Sequence, residues 1–329
     1  MHVLVTGGLG FIGSHVTDAY LAKGHRVTVV DSTVASVTSG LEYDDHPSAV
    51  VVREPVEKYF LRRDALDGVD RVVHAAAHVG PAGILRYAGR LGVDIVCSTA
   101  DVLDACQAEG VPVCVFSSAE VYGRSGRLGE HDDIRVCTRY NVRTEYAVAK
   151  TLTEAMVANR RHFGLRGVVV RPFNVAGPRQ SRAGGFVMPT FVQQALAGLP
   201  LTVFASGQQV RAFLAVSDLA RFVVDHLDAA LVSRDVIYNL GNPANRTTVW
   251  DLAERVRELL ASDSHIVHAD AQAIHGPLYE EAESFEKVPV LRAATEIGWE
   301  PSADLDALIL ETAEHYRIER DIRGASAPL

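Results

Sequence analysis

The stretch "VTGGLGFIGSH", Val5 to His15, decides the fold. Gly7, Gly10 and Gly13 stand in a GxxGxxG spacing between a short apolar run, "HVLV" (His2 to Val5), and a helical pattern that starts at Ser14. Gly7 permits a tight turn, Gly10 lets the backbone approach a pyrophosphate, and Gly13 allows a helix to pack closely on the strand. The helix start adds free N–H groups and the positive end of a dipole. The next apolar run, "RVTVV" (Arg26 to Val30), ends at Asp31. A carboxylate there binds the ribose hydroxyls of NAD and repels the extra phosphate of NADP, and the next arginine is Arg53. The stretch predicts an NAD site.

Further strands are expected at "RVVH" (Arg71 to His74), "VPVCVF" (Val111 to Phe116) and "GVVV" (Gly167 to Val170). Each is Val-rich and apolar throughout, the pattern of parallel strands covered on both faces. Helical spacing fills Ser14 to Lys23, with Gly24 as its stop, and Thr144 to His162. This alternation implies an α/β fold, a Rossmann-type doubly wound parallel sheet. After Pro172 the texture changes to a polar, Gly-rich loop, "NVAGPRQSRAGG", and strand and helix signals mix. The expected division is a cofactor domain over 1–173, with 214–240 returning to it, and a smaller α/β substrate-binding lobe from 174–213 and 241–329.

The chain has 329 residues, 48% hydrophobic and 22% charged, enough for a large core. Its formal charge of −9 argues against nonspecific binding to nucleic acid or an anionic membrane. Cys97, Cys106, Cys114 and Cys137 form no CxxC pair and lack metal-ligand spacing, so no metal is expected. No apolar run approaches the ~18 residues of a membrane helix. The start of the chain carries no basic, apolar leader, and the expected compartment is the cytoplasm.

"FSSAEVYG" (Phe116 to Gly123) closes one expected strand with two hydroxyls, a carboxylate and a phenol. "YAVAK" then puts Tyr146 and Lys150 on one helix face. An ammonium near a phenol is expected to lower the phenol's pKa, and a cationic nicotinamide to lower it further. The phenolate can then take a proton from a substrate hydroxyl while Ser118 hydrogen-bonds that oxygen.

These segments, with "VVHAAA", "RPFNVAGPRQ", "YNLGNP" and "IGWEPSADLDALI", resemble the extended short-chain dehydrogenase/reductase family, in its nucleotide-sugar epimerase/dehydratase branch. The resemblance covers nearly the whole chain. It implies tightly held NAD that oxidises a sugar at C4 and is regenerated within one cycle. Ser118, Tyr146 and Lys150 match the family's catalytic triad. Gly7, Gly10, Phe11, Ile12, Gly13, Asp31, Ser32, Ala75, Ala76, Ala77 and Pro172 match cofactor positions, together with Tyr146 and Lys150. Asn174 and Arg211 match contacts to the sugar-nucleotide diphosphate and Thr202 and Phe204 the segment packed on the base, while Lys287, a departure from the family pattern, can still offer phosphate a point charge but no bidentate fork. Arg211 suits the diphosphate contact because a guanidinium fork fits paired phosphate oxygens.

A simple C4 epimerase needs no carboxylate at Glu120. The branch's dehydratases resemble T-D-E at positions 118–120, and its glucuronate decarboxylases T-S-E. Here Ala119 disfavours a 4,6-dehydratase, whereas Glu120 is kept. Ala212 stands where the family usually has Asp, Lys287 and Val290 where R-x-P-D is common, and Asp94 and Ile95 where an Asn is usual. The leading expectation is a 4-epimerase of a UDP-hexose or UDP-uronate. The alternatives are a UDP-glucuronate decarboxylase or other C5-acting enzyme using Glu120, other sugar dehydratases and reductases, and a non-catalytic NAD-binding sensor or scaffold. The family also implies a homodimer joined by a four-helix bundle, from roughly Gly83 to Ala108 and Thr144 to His162.

Overall fold

The computed structural model describes residues 1–33, 43–77, 80–123, 128–136, 141–276 and 286–323. Cys137 and residues 280–285 of "EEAESFEKVP" lie outside them. Seven strands form one parallel sheet: β1 (His2–Thr6), β2 (Arg26–Val30), β3 (Ala49–Val52), β4 (Arg71–His74), β5 (Val113–Phe116), β6 (Gly167–Pro172) and β7 (Ile237–Leu240). Their order is β7-β6-β5-β4-β1-β2-β3.

The apolar runs follow from this architecture. Val3, Val5, Val73, Cys114, Val168 and Val170 face one core, with Tyr20, Phe222 and Trp299. Leu4, Val72, Val113, Val115 and Val169 face the other, with Val102, Leu103 and Val157. Neighbours in one strand thus enter opposite cores, so both positions favour apolar residues, and buried polar exceptions such as Thr6 and His74 are hydrogen-bonded to each other. Each fully buried Val or Leu contributes about 1.5–3 kcal/mol. The sequence reading assigned no strand at Ala49–Val52; β3 is the sheet's outer strand, where Val50 is 60% exposed. It reads less clearly because one face is only partly covered.

Three helices position the site: α1 (Phe11–Ala22), α2 (Leu91–Glu109) and α3 (Val142–Arg161). Helix α1 starts at Phe11 rather than Ser14, because the glycine turn delivers the chain directly to its cap at Gly10. Asn141 caps α3, its side chain accepting from Thr144 N at 2.9 Å.

Beyond β6 the chain builds a third core from Met188, Phe191, Val192, Leu201, Val203, Leu252, Val256, Leu308 and Tyr316. Short sheets flank it: Leu201–Phe204 pairs with Ile266–Ala269, and Val210–Ala212 lies between Arg246–Thr248 and Glu286–Lys287. Between these segments the helical stretch Val216–Val232 packs Leu219, Phe222 and Leu227 against the first core, and β7 extends the sheet. Asp218 fastens this stretch to the C-terminal segment, accepting from Ser302 N at 2.9 Å and Ala303 N at 3.1 Å.

Candidate active site

Because all seven strands are parallel, their C-terminal ends share one edge, and a doubly wound sheet opens a crevice there where the strand order reverses. The expected cofactor residues follow β1, β2 and β4 at this edge. Gly7 has φ +71°, and a Cβ there would lie 2.8 Å from Ala76 Cα. A Cβ on Gly13 would lie 2.1 Å from the Gly7 carbonyl oxygen, so α1 approaches the turn only as glycine allows. The N-terminus of α1 has no capping side chain and no acid in its first turn. Asp31 sits at the end of β2, buried, accepting from Leu9 N at 3.0 Å and Thr33 N at 2.8 Å. Ser32 is exposed beside it, while Ala75, Ala76 and Ala77 run half-buried from the end of β4. Ala75 N is fixed to Thr6 O at 3.2 Å and Ala76 N to Thr6 Oγ1 at 3.3 Å. Pro172 ends β6, and half-buried Phe11 and Ile12 open α1. A glycine-lined helix start with unclaimed N–H groups, beside a fixed carboxylate, fits the pyrophosphate and ribose of a dinucleotide.

On the other side of the crevice, Ser118 follows β5 and Tyr146 and Lys150 lie on α3. Tyr146 and Lys150 are each 4% exposed. Lys150 Nζ donates to Phe116 O at 2.7 Å and lies 6.0 Å from the centroid of the Tyr146 ring. Burial pushes Lys150 down to about 8, against the opposing charge of Glu154. The Tyr146 phenol departs from expectation. Burial drives it well above its ordinary value, a Ser118 hydrogen bond pulls it back and the Glu120 charge adds to the rise. The expected lowering by Lys150 is not found in the chain alone, because desolvation of the phenolate outweighs an ammonium that is turned to the backbone.

Glu120 is a half-buried, ion-paired acid. Lys287 Nζ donates to its Oε1 at 2.6 Å, and Arg143 Nη1 lies 3.5 Å from the same oxygen. Burial pushes the carboxyl up, but Lys287, Arg143 and the more distant Arg211 outweigh it and hold it at about 2. Arg211 and Lys287 are register partners on adjacent strands, so two buried cations stand side by side. Such a pair is unfavourable unless an anion is shared. Asn174, at φ +40°, donates from Nδ2 to Ala212 O at 3.1 Å and so braces the strand that carries Arg211. Thr202 and Phe204 stand on a different sheet, where Gln194 holds the Thr202 hydroxyl at 2.9 Å. Arg143 escaped the sequence reading, although its place three residues before Tyr146 on one helix face is a usable signal.

The description "NAD dependent epimerase/dehydratase family" fits residues 3–241 of the chain. The chain belongs to that family. It is therefore an NAD-dependent enzyme of the extended short-chain dehydrogenase/reductase branch. It is 29% identical over 321 residues to UDP-glucuronic acid decarboxylase 1 of Danio rerio, a match covering 96% of this chain and 73% of the relative. It is likewise 29% identical over 322 residues to a UDP-N-acetyl-alpha-D-glucosaminuronate decarboxylase of Bacillus cytotoxicus, covering 97% and 98%. The fold superposes with a TM-score of 0.82 on UDP-glucose 4-epimerase of Thermotoga maritima, solved with UDP-glucose, at 26% identity and covering 97% and 99% of the two chains. The family therefore spans both reactions weighed for this chain.

Proposed function

We propose that this enzyme is a nucleotide-sugar 4-epimerase, acting at C4 of a UDP-hexose or UDP-uronate. Residues 1–173 and 214–240 would hold NAD through Gly7, Gly10, Gly13 and Asp31. Residues 174–213 and 241–329 would hold the sugar nucleotide, with Arg211 and Lys287 toward its phosphates. NAD held there would supply reversible hydride-acceptor chemistry at C4. Tyr146, as the phenolate that Lys150 and the cationic nicotinamide would favour, would take the proton of the C4 hydroxyl and give it back, with Ser118 holding that oxygen.

The observation that carries this reading is the pairing of Glu120 with Lys287 and Arg143. A carboxylate held at about 2 is a weak base toward a C5 hydrogen and, ionised near pH 7, a poor donor of the proton that C5 takes up once carbon dioxide has left, whereas a 4-epimerase asks nothing of it. The second reading, a UDP-glucuronate decarboxylase, is favoured by the position of Glu120 beside Ser118 and by the decarboxylase relatives. One experiment separates them. The NAD-loaded enzyme is incubated with UDP-glucose, UDP-galactose, UDP-glucuronate and UDP-galacturonate, and products are read by NMR. A C4 diastereomer without carbon dioxide is expected; carbon dioxide with a UDP-pentose overturns the epimerase.

The reading includes a cytoplasmic homodimer. Exposed Val93 on α2 and Val148 and Leu152 on α3 supply an apolar surface for a four-helix bundle. Cys97 is an exposed free thiol, in keeping with a reducing compartment. Among the described residues no helix is long and apolar enough to cross a membrane.

A further inference from the structure

The end of β5 is fastened to α3 at two successive turns of the helix. Lys150 Nζ donates to the Phe116 carbonyl at 2.7 Å, and the Ser117 hydroxyl donates to the Glu154 carboxylate. Tyr146, Lys150 and Glu154 recur every fourth residue, on one face. Glu154 is buried and held at both oxygens by Arg171 of β6, with Nε at 2.9 Å and Nη2 at 2.6 Å. The remaining Arg171 Nη1 donates to Tyr122 Oη at 2.8 Å, and Tyr122 donates to Asn239 of β7 at 2.8 Å. One carboxylate thus joins α3 and β5 and, through Arg171, β6 and β7.

We propose that Glu154 is a positioning residue for the acid–base centre: held by Arg171, its carboxylate grips the strand end that carries Ser118 and sets the negative charge facing Lys150. The inference rests on the reading of Ser118, Tyr146 and Lys150 as that centre. Lys150 is faced by Tyr146 and Glu154 from its own helix and by His74 from the end of β4; Glu120 faces Tyr146 from the turn after β5. Burial, and then the charge of Lys150, push His74 down to about 3, so it is neutral and adds no charge near pH 7. Glu154 is the negative group that opposes the loss of the Lys150 proton. A purely structural ion pair would support the fold and leave the Lys150 titration unmoved.

The chain has four lysines, Lys23, Lys58, Lys150 and Lys287, so protein labelled with 13C at the lysine ε carbon gives a readable spectrum. The Lys150 signal is assigned by its loss in Lys150→Met and titrated against pH in the full-length protein. Glu154→Gln keeps the shape and removes the charge, and should lower the Lys150 midpoint by about one pH unit. Ser117→Ala keeps the charge and removes the grip. It should leave the midpoint in place and speed hydrogen exchange of the 117–120 amides about tenfold. An unmoved midpoint in Glu154→Gln, or unchanged exchange in Ser117→Ala, overturns the proposal. Neither measurement uses a substrate, so failure of the epimerase reading alone leaves both results standing.

Discussion

The two sides of the crevice are built in opposite ways. The cofactor side is largely a local product: His2 to Asp31 make a strand, a turn, a helix and the next strand, to which Ala75 to Ala77 and Pro172 are added from later strand ends. The cation cluster around Glu120 draws Glu120 from the turn after β5, Arg143 from α3, Arg211 from a lobe strand and Lys287 from another. The first is held by backbone geometry and the second by charge. Steric damage should therefore ruin the first abruptly, whereas the second should respond gradually and depend on pH.

The hardest blow to the local side is Gly13→Val. Its side chain would enter the space of the Gly7 carbonyl. NAD binding by calorimetry should weaken by about a hundredfold, the roughly 3 kcal/mol of a severely overpacked turn. If that variant binds NAD normally, the helix start is not the cradle. Tyr146→Phe equals or exceeds it at the chemical step. Turnover of the active UDP-sugar should fall about 10²–10⁴-fold, the range of a lost acid–base group, with NAD affinity little changed. Full activity in that variant would remove Tyr146 from the acid–base role.

Glu120→Gln probes the assembled side. In an epimerase kcat should change by less than about tenfold, whereas a C5-acting enzyme would lose about 10²–10⁴-fold. The same change leaves Lys287 and Arg143 without their carboxylate, and chemical denaturation at pH 7 should show a loss of about 1–3 kcal/mol. The sign with pH follows from the depressed carboxyl. The stabilisation by Glu120 is present above the ordinary 4.5 and disappears as pH falls toward about 2. Wild type and variant should therefore converge in acid; a constant gap would mean that the loss is steric.

The smallest effect expected is a gain. Lys150 is held at about 8 rather than 10.5, so its buried ammonium costs stability below pH 8. Lys150→Met should stabilise the NAD-free protein at pH 7 by on the order of 2 kcal/mol. The advantage shrinks as pH rises from 8 to 10.5, where the folded lysine is neutral and the unfolded one still charged. Loss of stability instead would mean that Lys150 serves the fold rather than the chemistry.

The strands β1, β2, β4, β5 and β6 were legible as Val-rich runs, because a strand buried on both faces is apolar at most of its positions. The outer strand β3 was not, since partial exposure blurs that pattern. Ser118, Tyr146 and Lys150 were legible because they sit on two short segments at readable spacing. Arg143, Glu154 and Arg171 were not, because a charged residue on a helix or strand looks the same whether it faces water or a buried partner.

What the sequence by itself determined is the cofactor half: glycines at fixed intervals, a carboxylate after the second strand and a Tyr–Lys helix face each follow from neighbours along the chain. Only the tertiary structure decided the ionisation of that half and the makeup of the other. Burial raised the phenol that its lysine was expected to lower, and Lys287 and Arg143 came from distant segments to pair with Glu120. Both outcomes depend on desolvation and on charges brought close from distant parts of the chain, and neither quantity is written in the order of the residues.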